Sequence, residues 1–243
     1  SVLWLFPIAA TVRGSSARRL RGPVKGERRT SAMRDELRFI VLDGVEGCGK
    51  STQVERLAAA LREAGEDPVV THEPGGTPVG EAIRSMLLSP EYPQMTVLTE
   101  ILLFCASRAQ HVQQVIIPAL DEGSRVLCDR FSAATFAYQG YAGGGGAEMV
   151  EQLDARATGG LAPDLTIILD LPAEEGLRRK FGEQWREAPA MGDRIEQNDA
   201  EYHRLVREGF LAYADRCSER TAVVDADREP DEVFAELAGL LEL

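Results

Sequence analysis

Phe39-Ile40-Val41-Leu42-Asp43-Gly44-Val45-Glu46-Gly47-Cys48-Gly49-Lys50-Ser51 is an apolar run that stops at glycines and restarts with helical periodicity at Val54, Leu57, Ala58 and Leu61. That order reads as strand, loop, helix. The segment Gly44 to Ser51 satisfies the pattern G-x-x-x-x-G-K-[ST] at every fixed position. Glycines let the backbone wrap phosphates with successive N–H groups pointing inward, and a helix opening near Ser51 adds its positive end. Lys50 supplies a mobile charge for the β- and γ-phosphates, and the Ser51 hydroxyl is placed to coordinate Mg²⁺. Gly44, Val45, Glu46, Gly47, Cys48, Gly49, Lys50, Ser51 and Thr52 are therefore the expected ATP-binding residues.

Outward from this loop the alternation repeats. Strands are expected at Pro68–Thr71, Arg125–Asp129, Leu165–Leu171 and Thr221–Asp225. Helices are expected at Val79–Leu88, Thr96–Leu120 with a break near Pro118, Ala147–Ala157, from Ala173, from Asn198 to Cys217, and from Asp231. Strands alternating with helices imply a parallel sheet covered on both faces, with ligands at the carboxyl ends of the strands.

The chain has 243 residues, long enough for one α/β domain. Residues 1–33 hold seven of the 27 basic residues and one of the 39 acidic ones, which leaves the remainder at net −18. Such a surface repels a nucleic-acid backbone, so a polyanionic partner must be small and held in a local cationic pocket. Nucleotides fit, and nucleic acid is not expected. No apolar run approaches the ~20 residues of a membrane span. Cys48, Cys105, Cys128 and Cys217 form no C-x-x-C pair, which points away from zinc and disulfides and toward a cytoplasmic setting. The Arg- and Ser-rich stretch 1–33 has no periodicity and reads as an extension, disordered or not native, with a targeting segment as the alternative. The phosphate-binding α/β domain is placed at 34–243.

Several phosphate-binding classes share such a loop. A GTPase should carry N-K-x-D, yet the only asparagine, Asn198, is followed by Asp199 and Ala200. A motor ATPase strand usually ends in Asp-Glu, whereas Val126-Leu127-Cys128-Asp129 runs into Arg130. A carboxylate followed by arginine at a strand's end serves a metal shell and a bound phosphate together. Four further stretches then resemble the bacterial thymidylate kinase family in order and spacing. They are Glu73-Pro74-Gly75-Gly76-Thr77; Leu103-Phe104 with Arg108-Ala109-Gln110; Asp129-Arg130-Phe131 with Ala137-Tyr138-Gln139-Gly140; and Asp193-Arg194-Ile195-Glu196.

The resemblance implies a three-layer P-loop nucleoside-monophosphate kinase fold with a five-stranded parallel sheet, and transfer of the ATP γ-phosphate to dTMP. Phe104 would stack on thymine, Arg108 would donate to a base carbonyl, and Thr135 and Gln139 would complete base recognition. Tyr138 would press on the sugar, and Arg130, assisted by Arg84, would hold the monophosphate. Glu73 joins this dTMP set, Glu46 would lie near the sugar hydroxyl and the transferred phosphate, and Ser51 and Asp129 would share the Mg²⁺. A homodimer through the helix at 96–120 is also implied.

Residues 178–194 hold Arg178, Arg179, Lys180, Arg186 and Arg194 among Gly182, Pro189 and Gly192, as suits a lid. Relatives with a catalytic arginine inside the P-loop carry it where this chain has Gly47, so the cation is expected from the lid, from Arg179 or Arg194 first and Arg186 third. Lys50, Arg130, Arg179, Arg194 and Glu46 are thus the catalytic candidates. His72 replaces a common arginine and Ser107 a common acid. Two rivals stay open: a kinase of this fold for another nucleotide or nucleoside, and a non-enzymatic ATP-binding switch.

Overall fold

Alternate residues of β1 (Phe39–Gly44) enter different cores, because successive side chains of a strand point to opposite faces. Ile40 and Leu42 pack in a cluster with Val54, Leu57 and Leu61, whereas Phe39 and Val41 pack with Val112, Ile116 and Phe131. The sheet is therefore covered on both sides, as expected of a three-layer α/β protein. The computed structural model describes residues 37–186 and 192–243. The extension at 1–33 and the middle of the lid segment lie outside the described residues.

The remaining strands are β2 (Val69–His72), β3 (Val126–Asp129), β4 (Leu165–Asp170) and β5 (Thr221–Asp225). They form one five-stranded sheet in the order β2-β3-β1-β4-β5, with every pairing parallel. The chain crosses from β3 to β4 over β1, so a crevice opens at the carboxyl end of β1, where ligands bind in such sheets. Leu42 is in register with Asp129, which sets the loops after β1 and β3 side by side.

The helices are α1 (Lys50–Glu63), α2 (Pro78–Leu88), α3 (Val97–His111), α4 (Ser132–Thr135), α5 (Ala147–Thr158), α6 (Ala173–Phe181), α7 (Ala200–Arg216) and α8 (Pro230–Leu241). Side chains cap α2, where Thr77 accepts from Gly80 N at 2.9 Å, and α7, where Asp199 accepts from Tyr202 N at 2.8 Å.

Two expectations need correction. The helix does not break near Pro118. It widens into a π-helical turn at Val112–Ile116 and continues at Ile117–Asp121. Proline has no N–H for the α-helical ladder, and the wider turn lets Ile117 N donate to Val112 O instead. In addition, α4 and the π-helical turn Phe136–Ala142 that continues it had no counterpart in the sequence reading. Among the described residues no helix is long and apolar enough to cross a membrane.

Candidate active site

The loop between β1 and α1 takes its path from glycine backbone. Gly49, with φ of 92°, turns the chain into α1, and Gly47 has φ of 68°. Gly47 is also in tight contact with α6. A Cβ there would lie 2.1 Å from Gly176 O, and a Cβ on Gly176 would lie 2.2 Å from Glu46 O. Two residues without side chains thus dock α6, which carries Arg179 and Lys180, onto the loop.

Lys50, nearly buried, donates from Nζ to Gly44 O at 3.1 Å, to Val45 O at 2.8 Å and to Cys48 Sγ at 3.4 Å. Arg130 reaches the same carbonyl from the other side, with Nη1 2.9 Å from Gly44 O. The two cations therefore converge on one oxygen. Arg130 also donates from Nη2 to Glu46 Oε1 at 3.3 Å and to Tyr138 Oη at 3.2 Å, and its Nη1 is 3.4 Å from Asp43 Oδ1. Its backbone φ of 71° is left-handed, a conformation that costs a non-glycine residue roughly 1–2 kcal/mol.

Two buried carboxylates answer these cations differently. Burial pushes Asp43 up from 3.8 to about 6 against the opposing pull of Arg130 and Lys50. Asp43 Oδ2 accepts from Phe131 N at 3.2 Å and Ala134 N at 3.1 Å, which fixes the entry into α4. Burial would also raise Glu46, but His203, Arg130 and Lys50 outweigh it and hold the carboxyl well below the usual range. Tyr138 donates to Glu46 Oε1 at 2.5 Å, and His203 Nδ1 stands 3.5 Å from Oε2.

His203 is buried against the Glu46 carboxylate, the Glu196 carbonyl at 3.3 Å from Nε2, and the Tyr202 ring. Burial disfavours its charge, yet Glu46 outweighs burial and raises its pKa above the ordinary 6.5. A raised folded-state value means the stabilisation is complete below about 6.5 and is lost as pH climbs through that raised value. His203→Gln should cost about 1–3 kcal/mol at pH 6 in urea unfolding, with the gap to wild type narrowing at pH 9. An equal gap at both pH values would refute the charged pair.

These groups open on a cavity of about 760 Å³, a volume suited to small-molecule ligands. Its lining includes Glu46, Gly47, Gly49, Lys50, Ser51, Thr52, Glu73, Arg84, Phe104, Asp129, Arg130, Tyr138, Gln139 and Arg179. Gly44, Val45 and Cys48 stand behind it as the cradle's support. Ser51 Oγ donates to Asp129 Oδ2 at 2.9 Å, bringing the two expected metal ligands together.

Arg108, Thr135 and Arg194 do not line the cavity. Arg108 is buried, with Nε on Glu73 Oε2 at 2.8 Å, Nη1 on Asp154 Oδ1 at 2.6 Å and Nη2 on Thr135 Oγ1 at 3.0 Å. Arg194 donates from Nη1 to Glu100 Oε1 at 2.6 Å and from Nε to Leu87 O at 2.9 Å, fastening its segment to α2 and α3. Arg179 lines the cavity while bonded to Glu175, Ala226 O and Asp227. Arg186 ends a short 3-10 turn.

Sequence reading named Lys180 in the lid and Glu196 in the last motif without giving either a role, although they pair at the cavity wall, and it missed the supporting residues Asp43, His203 and Glu100. Of the two departures, His72 lies 3.4 Å from Glu81, and Ser107 accepts from Gly75 N at 3.1 Å, so it holds the glycine turn.

Comparison with known proteins gives the family. The family model described as Thymidylate kinase matches residues 42–237. The thymidylate kinase of Symbiobacterium thermophilum is 48% identical over 204 residues, 84% of this chain and 92% of the relative. That of Desulfosudis oleivorans is 46% identical over 205 residues, 84% of this chain and 96% of the relative. The crystal structure of thymidylate kinase from Ehrlichia chaffeensis superposes with a TM-score of 0.68 at 30% identity, covering 85% of this chain and 99% of that one. A loop that holds Lys50 and Arg130 on one carbonyl, in a chain matched over most of its length, makes this protein a member of the thymidylate kinase family.

Proposed function

We propose that the cavity seats ATP and dTMP with their phosphates meeting between Lys50 and Arg130, and that these side chains carry the family's reaction. The observation that supports this most is the convergence of both cations on Gly44 O. A dTMP phosphate oxygen attacks the γ-phosphorus, the bond to the β-γ bridging oxygen breaks, and dTDP and ADP leave. Phosphate is already a nucleophile, so the chain's work is positioning and charge stabilisation. Arg179 adds charge from the root of the lid, about residues 178–194 of a kinase domain beginning near residue 34. Arg194 is the second lid candidate.

Phe104 offers its ring to thymine. Arg108 has an Nη2 proton beyond its three bonds for a base carbonyl, with Thr135 holding the other. Tyr138, fixed by Glu46 and Arg130, packs on the sugar. Glu73 orients Arg108, and Arg84, held by Pro74 O at 2.9 Å, backs the monophosphate. Ser51 and Asp129 supply hard oxygen donors that suit Mg²⁺, an ion that keeps few protein ligands. When bound it neutralises charge on the β- and γ-phosphates.

The homodimer proposal is supported by Leu98 and Leu102 of α3, each 49% exposed, and by Met86 of the neighbouring helix α2 at 45%. The four free cysteines suit a reducing, cytoplasmic setting.

A coupled ADP-release assay across dTMP, dUMP, CMP and thymidine tests the reading, and dTMP should turn over fastest. Equal rates for all four would defeat it. Nucleotide binding without dTDP formation would support the switch instead.

A further inference from the structure

Gln139 carries an unusual signature for a residue that lines the cavity. Its side chain is 1% exposed, its Nε2 donates to Glu100 Oε2 at 3.0 Å, and its Oε1 is buried without a hydrogen-bond partner among the described residues. The two ends of an amide have nearly the same shape, so only chemistry decides which way it faces. Here Glu100 decides. Arg194 Nη1 donates to the other carboxylate oxygen at 2.6 Å, and a carboxylate engaged in this way accepts on both sides. Gln139 must therefore turn its NH₂ toward Glu100 and keep its oxygen away from it. A buried acceptor without a donor is costly, and a ligand N–H is what relieves it.

We infer that Glu100 is a positioning residue for base selection: by fixing the Gln139 amide it makes the pocket present an acceptor to the ring edge of a pyrimidine. An oxo-pyrimidine such as thymine or uracil meets that acceptor with its N3–H. Cytosine offers a bare lone pair at N3, and acceptor then faces acceptor. The inference rests on the reading of the cavity as the dTMP site, and it assigns to Glu100 and Arg194 a part in discrimination that neither performs by touching substrate. Glu100 is itself only 8% exposed and sits one helical turn before Phe104 on α3, so the carboxylate and the proposed stacking ring come from one rigid element.

Glu100→Gln is the direct test, because a glutamine at this position can donate to Gln139 Oε1 and let Nε2 turn toward the ligand. The full chain is assayed with dTMP and dCMP. The ratio of their kcat/KM values should fall by about tenfold or more in the variant, with dTMP losing through KM and dCMP gaining. A ratio within about threefold of wild type in a folded variant overturns the inference, since a merely structural role lowers both substrates together.

Should the variant fail to fold, calorimetry on the wild type decides. N3-methyl-dTMP, which lacks the N3 proton, should bind at least about tenfold more weakly than dTMP, and equal binding overturns the inference. Wild-type enzyme that does not turn over dTMP would instead strike the underlying functional reading. Wild type that prefers dTMP beside an unchanged ratio in Glu100→Gln strikes only the role of Glu100.

Discussion

Arg130→Ala should lower kcat/KM for dTMP by about three orders of magnitude or more, because one substitution removes several electrostatic functions at once. A guanidinium offers a planar fork that matches a phosphate, and nothing else on β3 or α4 replaces it. It is also the shared partner of two buried carboxylates, Asp43 and Glu46. Leaving a buried charge unpaired typically costs roughly 3–5 kcal/mol, so part of the loss should appear as lowered thermal stability. Without Arg130 the Asp43 carboxyl loses the strongest of the pulls opposing its upward shift and rises further.

Calorimetry separates the effects. Affinity of the variant for dTMP should collapse toward that for thymidine, while thymidine binding stays within about threefold of wild type. Undiminished dTMP affinity would place the monophosphate elsewhere. Arg130→Lys keeps the charge without the fork and should fall between the two.

Gly47→Ala should destabilise the fold by roughly 2–5 kcal/mol, from about 1–2 for a left-handed non-glycine residue and about 1–3 for overpacking. The Cβ would meet a backbone carbonyl, Gly176 O, at 2.1 Å, and no side-chain rotation relieves that contact. Differential scanning calorimetry should show the midpoint lowered by about 5–15 °C at this chain size. ATP affinity should drop as well, because moving α6 off the loop moves Arg179 and Lys180 with it. Gly47→Arg should behave no better, since its Cβ carries the same clash. A folded, active Gly47→Arg enzyme would show that the loop can host an arginine after all. The reason for expecting the cation from α6 and the lid would then disappear.

The parts of this site that were legible from residues are those where one type of backbone or one charge has no substitute. The loop Gly44 to Ser51 is such a case, because its path requires glycine and its charge requires Lys50. Asp129-Arg130 is another, because strand ends at this crevice are where phosphate is held. What stayed hidden depends on residues far apart in sequence. Glu100 meets Arg194 across 94 positions, and Arg108 meets Glu73 and Asp154 across 35 and 46. Hydrophobic periodicity carries no information on such pairings.

Arg108 shows the difference. Its place on the helix was read correctly, but its burial behind the cavity depends on partners that no local pattern names. α4 and the turn after it were missed because a four-residue helix is too short for a periodic signal and its continuation is π-helical.

The widened turn after α3 has a consequence for the pocket. Before it, Phe104 faces the cavity while Arg108 and His111 reach the buried Glu73 behind it. Within it and beyond, Val112, Ile116 and Ala119 cover Phe39 and Val41 of the sheet. Removing a single residue from 112–116 would rotate one half of this rod against the other by about 100°. Either the wall facing the base or the lid over the sheet would then be misaligned. The count of residues in this stretch is thus as much a determinant of the pocket's shape as the side chains that line it.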